Sequence, residues 1–440
     1  CIRDSLRTNP AGGTDADDVA QDRLLYLRGK RDFSTRNFRG RNKRLGDIVN
    51  SGPVYVGKPA LNWPDTFPFP DTSPNRYTDF KNGPDASRIE MVYAGANDGM
   101  LHGFRADNGS EELAYISGNL FSTAPNAGLH YLTDPDYIHR YYNDLTPTVS
   151  DIYADLQDGS GETWRTILIG GQRGGGRGIY ALNVTDPLLF SAGNAARVGV
   201  WEFSNSDDAD LGFTYSKPQV GMMNDGSWVA IFGNGYTDTG AGEAKLFILK
   251  IEEGVDGWDF ASGDYIKIST GVGTPGNRNG LATPALADLD GNGTIDRAYA
   301  GDLEGNMWAF DLSSNLDTGW EIPNNRPLFT TEGNLPITAQ PTLSKHPTEV
   351  DIPVPQPGAN EPNVMVFFGS GQYLVNADKT SSNLDHFYGV WDRGDDERNS
   401  GHLVQQTWQT CFTNVETGAT VRVLSNNNVD YASGGKYGWY

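Results

Sequence analysis

Five stretches of this chain close an apolar run with glycine: Val92-Tyr-Ala-Gly95, Ile167-Leu-Ile-Gly-Gly171, Ala230-Ile-Phe-Gly233, Ala298-Tyr-Ala-Gly301 and Val366-Phe-Phe-Gly369. A short proline-containing segment precedes each of them, in Ser51-Gly-Pro53, Thr146-Pro147, Ser216-Lys-Pro218, Thr283-Pro284 and Gln340-Pro341. A turn and a second apolar strand follow. Asn97-Asp-Gly-Met-Leu-His-Gly-Phe104 corresponds to Leu303-Glu-Gly-Asn-Met-Trp-Ala-Phe310, and Gly178–Leu182, Lys245–Leu249 and His386–Val390 fill the same slot. Asp98-Gly99 and Glu304-Gly305 are hairpin-turn dipeptides. The units recur every sixty to ninety residues, roughly, which is long for a propeller repeat and implies insertions. One unit supplies three or four antiparallel strands with one apolar face that it cannot bury alone. Stacked radially, such units make a β-propeller. A β-sandwich accounts for alternating strands but not for the repeated order of proline, strand, glycine, turn and strand.

Composition agrees with an all-β reading. Glycine is abundant, at 54 of 440 residues, and aromatic residues reach 11%. Glycine-punctuated aromatic strands suit sheets better than helices. Mean hydropathy is −0.50, and no run approaches the eighteen or so apolar residues of a membrane span. Lys and Arg number 34 against 56 Asp and Glu, for a net charge of −22. That balance argues against general nucleic-acid binding and favours a surface that attracts cations.

The sharpest chemical signal is Asp288-Leu-Asp290-Gly-Asn292-Gly-Thr294-Ile-Asp296. Oxygen-bearing side chains recur at alternate positions with glycines between them. Ca²⁺ is a hard cation that takes six to eight oxygens at roughly 2.3–2.6 Å. A tight loop can turn the side chains of Asp288, Asp290, Asn292 and Asp296 inward and add the backbone carbonyl of Thr294. The loop is no EF-hand, because the position of the bidentate glutamate is Tyr299 and the flank Ala298–Gly301 reads as a strand. The plain alternative is an Asx-rich surface turn without metal.

Three regions lie outside the repeat. Residues 1–48 form an N-terminal extension, with a helix expected from near Thr14 through Val19–Leu27. A basic stretch follows, including Arg28, Lys30, Arg31, Arg36, Arg39, Arg41, Lys43 and Arg44. Docking on the protein's own acidic groups is the favoured reading over docking on a partner. Residues 49–440 are assigned to the propeller. Within them, 58–87 look like an excursion loop and 400–440 like a partial further blade or a cap. The cysteines are Cys1 and Cys411, which leaves open one long-range disulfide or a partner upstream for Cys1. The apolar end Gly438-Trp439-Tyr440 suggests a propeller incomplete at its C-terminus.

Three motifs carry a resemblance that covers nearly all of the chain: Leu24-Leu-Tyr-Leu-Arg-Gly29, Arg44-Leu-Gly-Asp-Ile-Val-Asn-Ser-Gly-Pro-Val-Tyr-Val-Gly57, and Val92–Phe104. With them the chain resembles the C-terminal β-propeller of the PilC/PilY family of type IV pilus tip proteins. The resemblance implies a modified seven-bladed propeller with a calcium loop in one blade, and it carries Ca²⁺ onto Asp288, Asp290, Asn292, Thr294 and Asp296. It further implies an exported, extracellular protein at the pilus tip, with minor pilins as partners and host or abiotic surfaces in contact. Its work would be pilus assembly, counter-retraction, adhesion and twitching motility.

Two other function classes share parts of the pattern. A quinoprotein-like dehydrogenase would need a Trp motif in nearly every blade and often an adjacent-cysteine pair, and neither occurs here. An integrin-α-like calcium propeller shares the loop but not the Leu45–Gly57 motif. The six histidines, His102, His130, His139, His346, His386 and His402, show no metal or triad spacing and read as ordinary strand or loop residues. No nucleophile elbow is present, and Gln172–Arg177 lacks the Lys-Ser/Thr of a phosphate loop. The chain is therefore read as a binding module and not an enzyme. Arg393-Gly-Asp395 matches an integrin-recognition tripeptide, a motif too short to weigh alone.

Overall fold

The computed structural model describes residues 2–346, 362–394, 398–413, 416–431 and 436–440. The chain divides into two compact units. One comprises Cys1–Met222, Gly226–Gly242 and Phe247–Lys267, and the other Met223–Asp225, Glu243–Leu246 and Ile268–Tyr440. The division runs through the strands Glu243–Lys250 and Tyr265–Gly273.

In the first unit, Val54–Val56, Met91–Gly95, Leu101–Arg105 and Glu111–Tyr115 form a four-stranded antiparallel sheet in chain order. Thr148–Ala154, Thr163–Gly171, Gly178–Asn183 and Gly199–Ser204 form another. Gln219–Met223 pairs with Trp228–Gly233. In the second unit, Ala285–Ala287, Arg297–Gly301, Asn306–Asp311 and Phe329–Thr330 follow in order, with Arg398–Asn399 at the edge. Thr342–Lys345, Val364–Gly369, Phe387–Asp392 and Gly438–Trp439 make the next sheet. All five glycine-terminated segments are strands. The C-terminal region does two things. Trp408–Thr413 and Thr420–Leu424 form a separate two-stranded sheet, and Gly438–Trp439 supplies the closing strand of the sheet before it.

The physical reason for the apolar runs is burial on both faces. Every residue of Arg297–Gly301 and of Trp228–Gly233 is buried. Such strands read as continuous apolar segments and not as alternation. Gly301 ends its strand where a Cβ would lie 2.2 Å from the Ile337 side chain and 2.7 Å from its carbonyl oxygen, so no larger residue fits. The cores are aromatic. Phe203, Phe232 and Phe247 are buried in the first unit, and Tyr299, Phe329 and Tyr388 in the second. Burying each such ring contributes about 1.5–3 kcal/mol.

The N-terminal helix spans Asp17–Leu27 and starts after Ala16, slightly later than the sequence suggests. Thr14 is instead engaged in a bridge with Thr8. A short helix, Ile2–Arg7, precedes it, and the buried Arg23 ties the two together by donating to the Leu6 carbonyl at 2.7 Å and to Asp15 at 2.5 Å. Several basic residues dock internally, as expected. Arg36 bonds Asp22 and Asp18, each at 2.7 Å, Arg39 lies over the Tyr137 ring, and Arg41 donates to the Tyr26 carbonyl. The 58–87 excursion holds a short helix, Tyr77–Lys81, and packs Trp63 and Phe69 against Trp228. No helix among the described residues is long and apolar enough to cross a membrane.

Candidate metal centre

The acidic loop is the hairpin between Ala285–Ala287 and Arg297–Gly301, which pair antiparallel. Gly291 at φ +80° and Gly293 at φ +94° take left-handed conformations that a side chain would strain. Their amides turn inward. Gly291 N donates 2.7 Å to Asp288 Oδ1, and Gly293 N donates 2.8 Å to Asp288 Oδ2. Asn292 N donates 3.0 Å to Asp290 Oδ1. At the exit, Asp296 accepts from Leu289 N at 2.7 Å.

The result is a convergence of charge. One oxygen from each of Asp288, Asp290 and Asp296 lies within 4.8 Å of the others, the one such acidic or histidine cluster among the described residues. Two oxygens on opposite sides of one Ca²⁺ stand about 5 Å apart, so the spacing suits a single ion of that size. Asp288 and Asp290 are exposed and Asp296 is buried. Burial pushes the Asp296 carboxyl above the ordinary range, and the charges of Asp290 and Asp288 add to it; Leu289 N and the Asn224 amide offset part of the rise. Carboxylates in this arrangement repel one another, and a cation reverses the repulsion.

The other two expected ligands sit differently. Asn292 Oδ1 accepts from Thr294 N at 2.7 Å and from Thr294 Oγ1 at 2.5 Å, while its Nδ2 donates to Asp290 Oδ2 at 3.0 Å. Thr294 N holds one lone pair of that oxygen, and the single Thr294 hydroxyl proton serves either Asn292 Oδ1 or Asn224 Oδ1 at a time, so Asn292 can free a lone pair for a metal when the hydroxyl turns to Asn224. The one Thr294 hydroxyl proton is shared between two amide oxygens, which leaves the backbone carbonyl as the group of this residue that a metal would meet.

One residue of the site escaped the sequence reading. Asn224, 70 residues before Thr294, accepts from Thr294 Oγ1 at 2.8 Å and donates 3.0 Å to Asp296 Oδ1. Its sequence signal is only that of a turn, Asn224-Asp225-Gly226.

A model of the PilY1 β-propeller domain matches residues 45–415. The chain belongs to the PilY1 β-propeller family. PilY1 of Pseudomonas aeruginosa PAO1, a type IV pilus biogenesis factor, is 34% identical over 476 residues, covering 99% of this chain and 37% of that protein. A PilY1 homologue of Xylella fastidiosa is 34% identical over 441 residues, covering 94% of this chain and 27% of that protein. The chain thus spans about a third of the length of these relatives. The crystal structure of the P. aeruginosa PilY1 C-terminal domain superposes with a TM-score of 0.60 at 31% identity, covering 80% of this chain and 70% of that one. The resemblance carried by the Leu24–Gly29, Arg44–Gly57 and Val92–Phe104 motifs is therefore a family relationship.

Two other features of this PilY1-family domain bear on the sequence reading. His102 is a strand residue, as expected, and it is also held between two carboxylates. It is 4% exposed, with Nδ1 2.5 Å from Glu111 Oε1 and Nε2 3.1 Å from Asp98 Oδ1. Burial pushes its imidazole down, and the two carboxylates more than reverse this, so it titrates above the usual histidine range. Of the cysteines, Cys411 is exposed and Cys1 lies outside the described residues; Asp395 of the Arg-Gly-Asp tripeptide lies outside them too.

Proposed function

We propose that this domain is the calcium-binding, modified seven-bladed propeller of a type IV pilus tip protein, a binding and assembly module and not an enzyme. The observation that carries the metal is the convergence of Asp288, Asp290 and Asp296 in one hairpin whose backbone amides hold the carboxylates in place. Asp288, Asp290 and Asp296 would supply charged oxygens, Thr294 a carbonyl, and Asn292 an amide oxygen. Bound calcium would offset most of the charge of the three carboxylates and order the loop. Mg²⁺ suits it less, because Mg²⁺ demands compact octahedral geometry and surrenders water reluctantly.

Membership of the PilY1 family, whose relatives are named as pilus biogenesis factors, supports the wider reading. The protein would act outside the cell at the pilus tip, with minor pilins as partners. It would favour assembly over retraction and contribute to surface adhesion and twitching. Calcium, by ordering an exposed hairpin, would set how the propeller docks in that complex.

Titration calorimetry on the purified domain tests the metal: one Ca²⁺ site, lost in Asp290→Ala and in Asp296→Ala. Binding that survives both substitutions sinks it. Pilus number in cells carrying Asp290→Ala tests the regulation. Normal piliation with calcium binding demonstrably lost removes that part of the proposal.

A further inference from the structure

We infer that Asn224 is a positioning residue for the cation site. Its amide fixes the conformation in which Asp296 and the Thr294 backbone face an ion. The inference rests on the reading of Asp288–Asp296 as a calcium loop.

Asn224 directly follows the strand Gln219–Met223 and opens the turn that Gly226 completes at φ +91°. Its side chain spans the exit of the loop. Nδ2 points at three acceptors, Asp296 Oδ1 and the Ile295 carbonyl, each at 3.0 Å, and the Leu312 carbonyl at 3.5 Å. Oδ1 faces a donor, the Thr294 hydroxyl, at 2.8 Å. These neighbours settle the amide orientation, since the flipped form would set its oxygen against a carboxylate and two carbonyls. The same Thr294 hydroxyl also reaches Asn292 Oδ1 at 2.5 Å. One amide therefore touches two of the five candidate ligand residues directly and a third through one hydroxyl.

The consequence for a metal is preorganisation. Asp296 has one oxygen held by Leu289 N at 2.7 Å and the other by Asn224 Nδ2. Each oxygen keeps a lone pair for a cation while the carboxylate plane is fixed. Thr294 is 1% exposed, and without its Asn224 bond the remaining protein acceptor of its hydroxyl is Asn292 Oδ1. Outer partners of this kind typically matter to metal affinity by about 10- to 100-fold. Asn224 is also neutral, so it orders the site without adding to its negative charge.

The experiment compares wild type, Asn224→Ala and Thr294→Val by calcium calorimetry and by thermal melts in excess calcium and in EDTA. Asn224→Ala is expected to weaken Ca²⁺ binding by about 10- to 100-fold, and Thr294→Val by several-fold. The rise in melting temperature on adding calcium should shrink in the same order. A residue that merely supports the fold would lower both melts equally and leave that calcium increment unchanged. An unchanged Kd and an unchanged increment in both variants overturn the role of Asn224 while leaving the calcium loop standing. Should Asn224→Ala fail to fold, Thr294→Val decides, because a wild-type Kd there breaks the proposed relay. A wild type that binds no calcium fails the calcium reading itself, which is a separate result.

Discussion

Two hairpins of this molecule begin with nearly the same letters and reach opposite electrostatic ends. Ala154-Asp-Leu-Gln-Asp-Gly-Ser-Gly161 and Ala287-Asp-Leu-Asp-Gly-Asn-Gly293 each join the first antiparallel strands of a sheet. In the first, the Asp158 side chain is only 3% exposed and meets Arg165 at 3.3 Å and Arg197 at 3.9 Å. Burial pushes its carboxyl up, but Ser160 N and the Arg165 guanidinium more than reverse this, and it titrates below the ordinary range. In the second, the following strand opens with arginine, but Arg297 turns to Asp311 and Asp392, each at 3.4 Å. Among the described residues no side-chain cation stands within ion-pair distance of Asp288, Asp290 or Asp296; Arg297 feels the Asp296 charge only at longer range, and Asp296 titrates high. An acidic, glycine-spaced hairpin is thus not by itself a metal loop. What separates the two is whether the fold supplies a cation of its own. His102, between Asp98 and Glu111, is a third solution, an internal cation that can be discharged.

The two loops should answer the same perturbations differently. The largest effect is expected at the loop without an internal cation. Asp290→Ala should weaken calcium binding by more than about 100-fold, since it removes one of three charged ligands. Chelation should speed hydrogen exchange at about residues 285–300 and leave 155–162 unaffected, with the rest of the fold intact. Because Asp296 titrates above the ordinary carboxylate range without metal, protons compete with calcium, and affinity should fall as pH is lowered through that raised pKa. Global unfolding on chelation would show instead that the ion staples the whole domain.

Next in size is Arg165→Ala. It leaves Asp158 with only the more distant Arg197, and removing one partner of a buried pair typically costs about 3–5 kcal/mol. The partial substitute should reduce this to about 2–3 kcal/mol. Urea unfolding should give the same loss in calcium and in EDTA. A loss that calcium rescues would make Asp155–Glu162 a latent metal loop, and the contrast would collapse.

Smaller, and dependent on pH, is His102→Gln. The folded pKa of His102 lies above its unfolded value, so its charge contributes stability fully below the ordinary histidine pKa of about 6.5. That contribution is lost as pH rises through the higher folded pKa. The wild type should exceed the variant by about 1–2 kcal/mol at pH 6, with the gap narrowing toward alkaline pH. A gap independent of pH would mean that the histidine serves by shape alone. The smallest effect is expected from Arg197→Ala. Its guanidinium stands 3.9 Å from Asp158 and its side chain is 43% exposed, so the change should stay below about 0.5 kcal/mol.

How much of this was legible depends on sequence distance. The strand order could be read because doubly buried strands such as Ala298–Gly301 and Ala230–Gly233 are unbroken apolar runs. The acidic loop could be read because its ligands are neighbours in the chain. Asn224 could not, because hairpins 70 residues apart carry no mark of their contact. His102 was hidden for a related reason. Its acids stand 4 residues before and 9 after it, spacings that match no histidine motif; the turn between Met91–Gly95 and Leu101–Arg105 supplies Asp98, and the pairing of Leu101–Arg105 with Glu111–Tyr115 supplies Glu111. Arg165 and Arg297 occupy similar places in sequence, and only packing decides that one faces its own loop and the other does not.

The closing strand Gly438–Trp439 has a consequence for the order in which the protein is assembled. Trp439 pairs with Gly389, about fifty residues earlier, whereas the neighbouring strand Val364–Gly369 lies close to it in sequence. Loop-closure entropy grows slowly, by about 0.6 kcal/mol per doubling of the loop, so the pairing is thermodynamically easy. Kinetically it follows the local pairing of Val364–Gly369 with Phe387–Asp392, because non-local contacts are made only after that entropy has been lost. During synthesis the strand Phe387–Asp392 must wait, with its edge unpaired, until the residues around 438 emerge. That interval is when this sheet is most open to pairing with another chain.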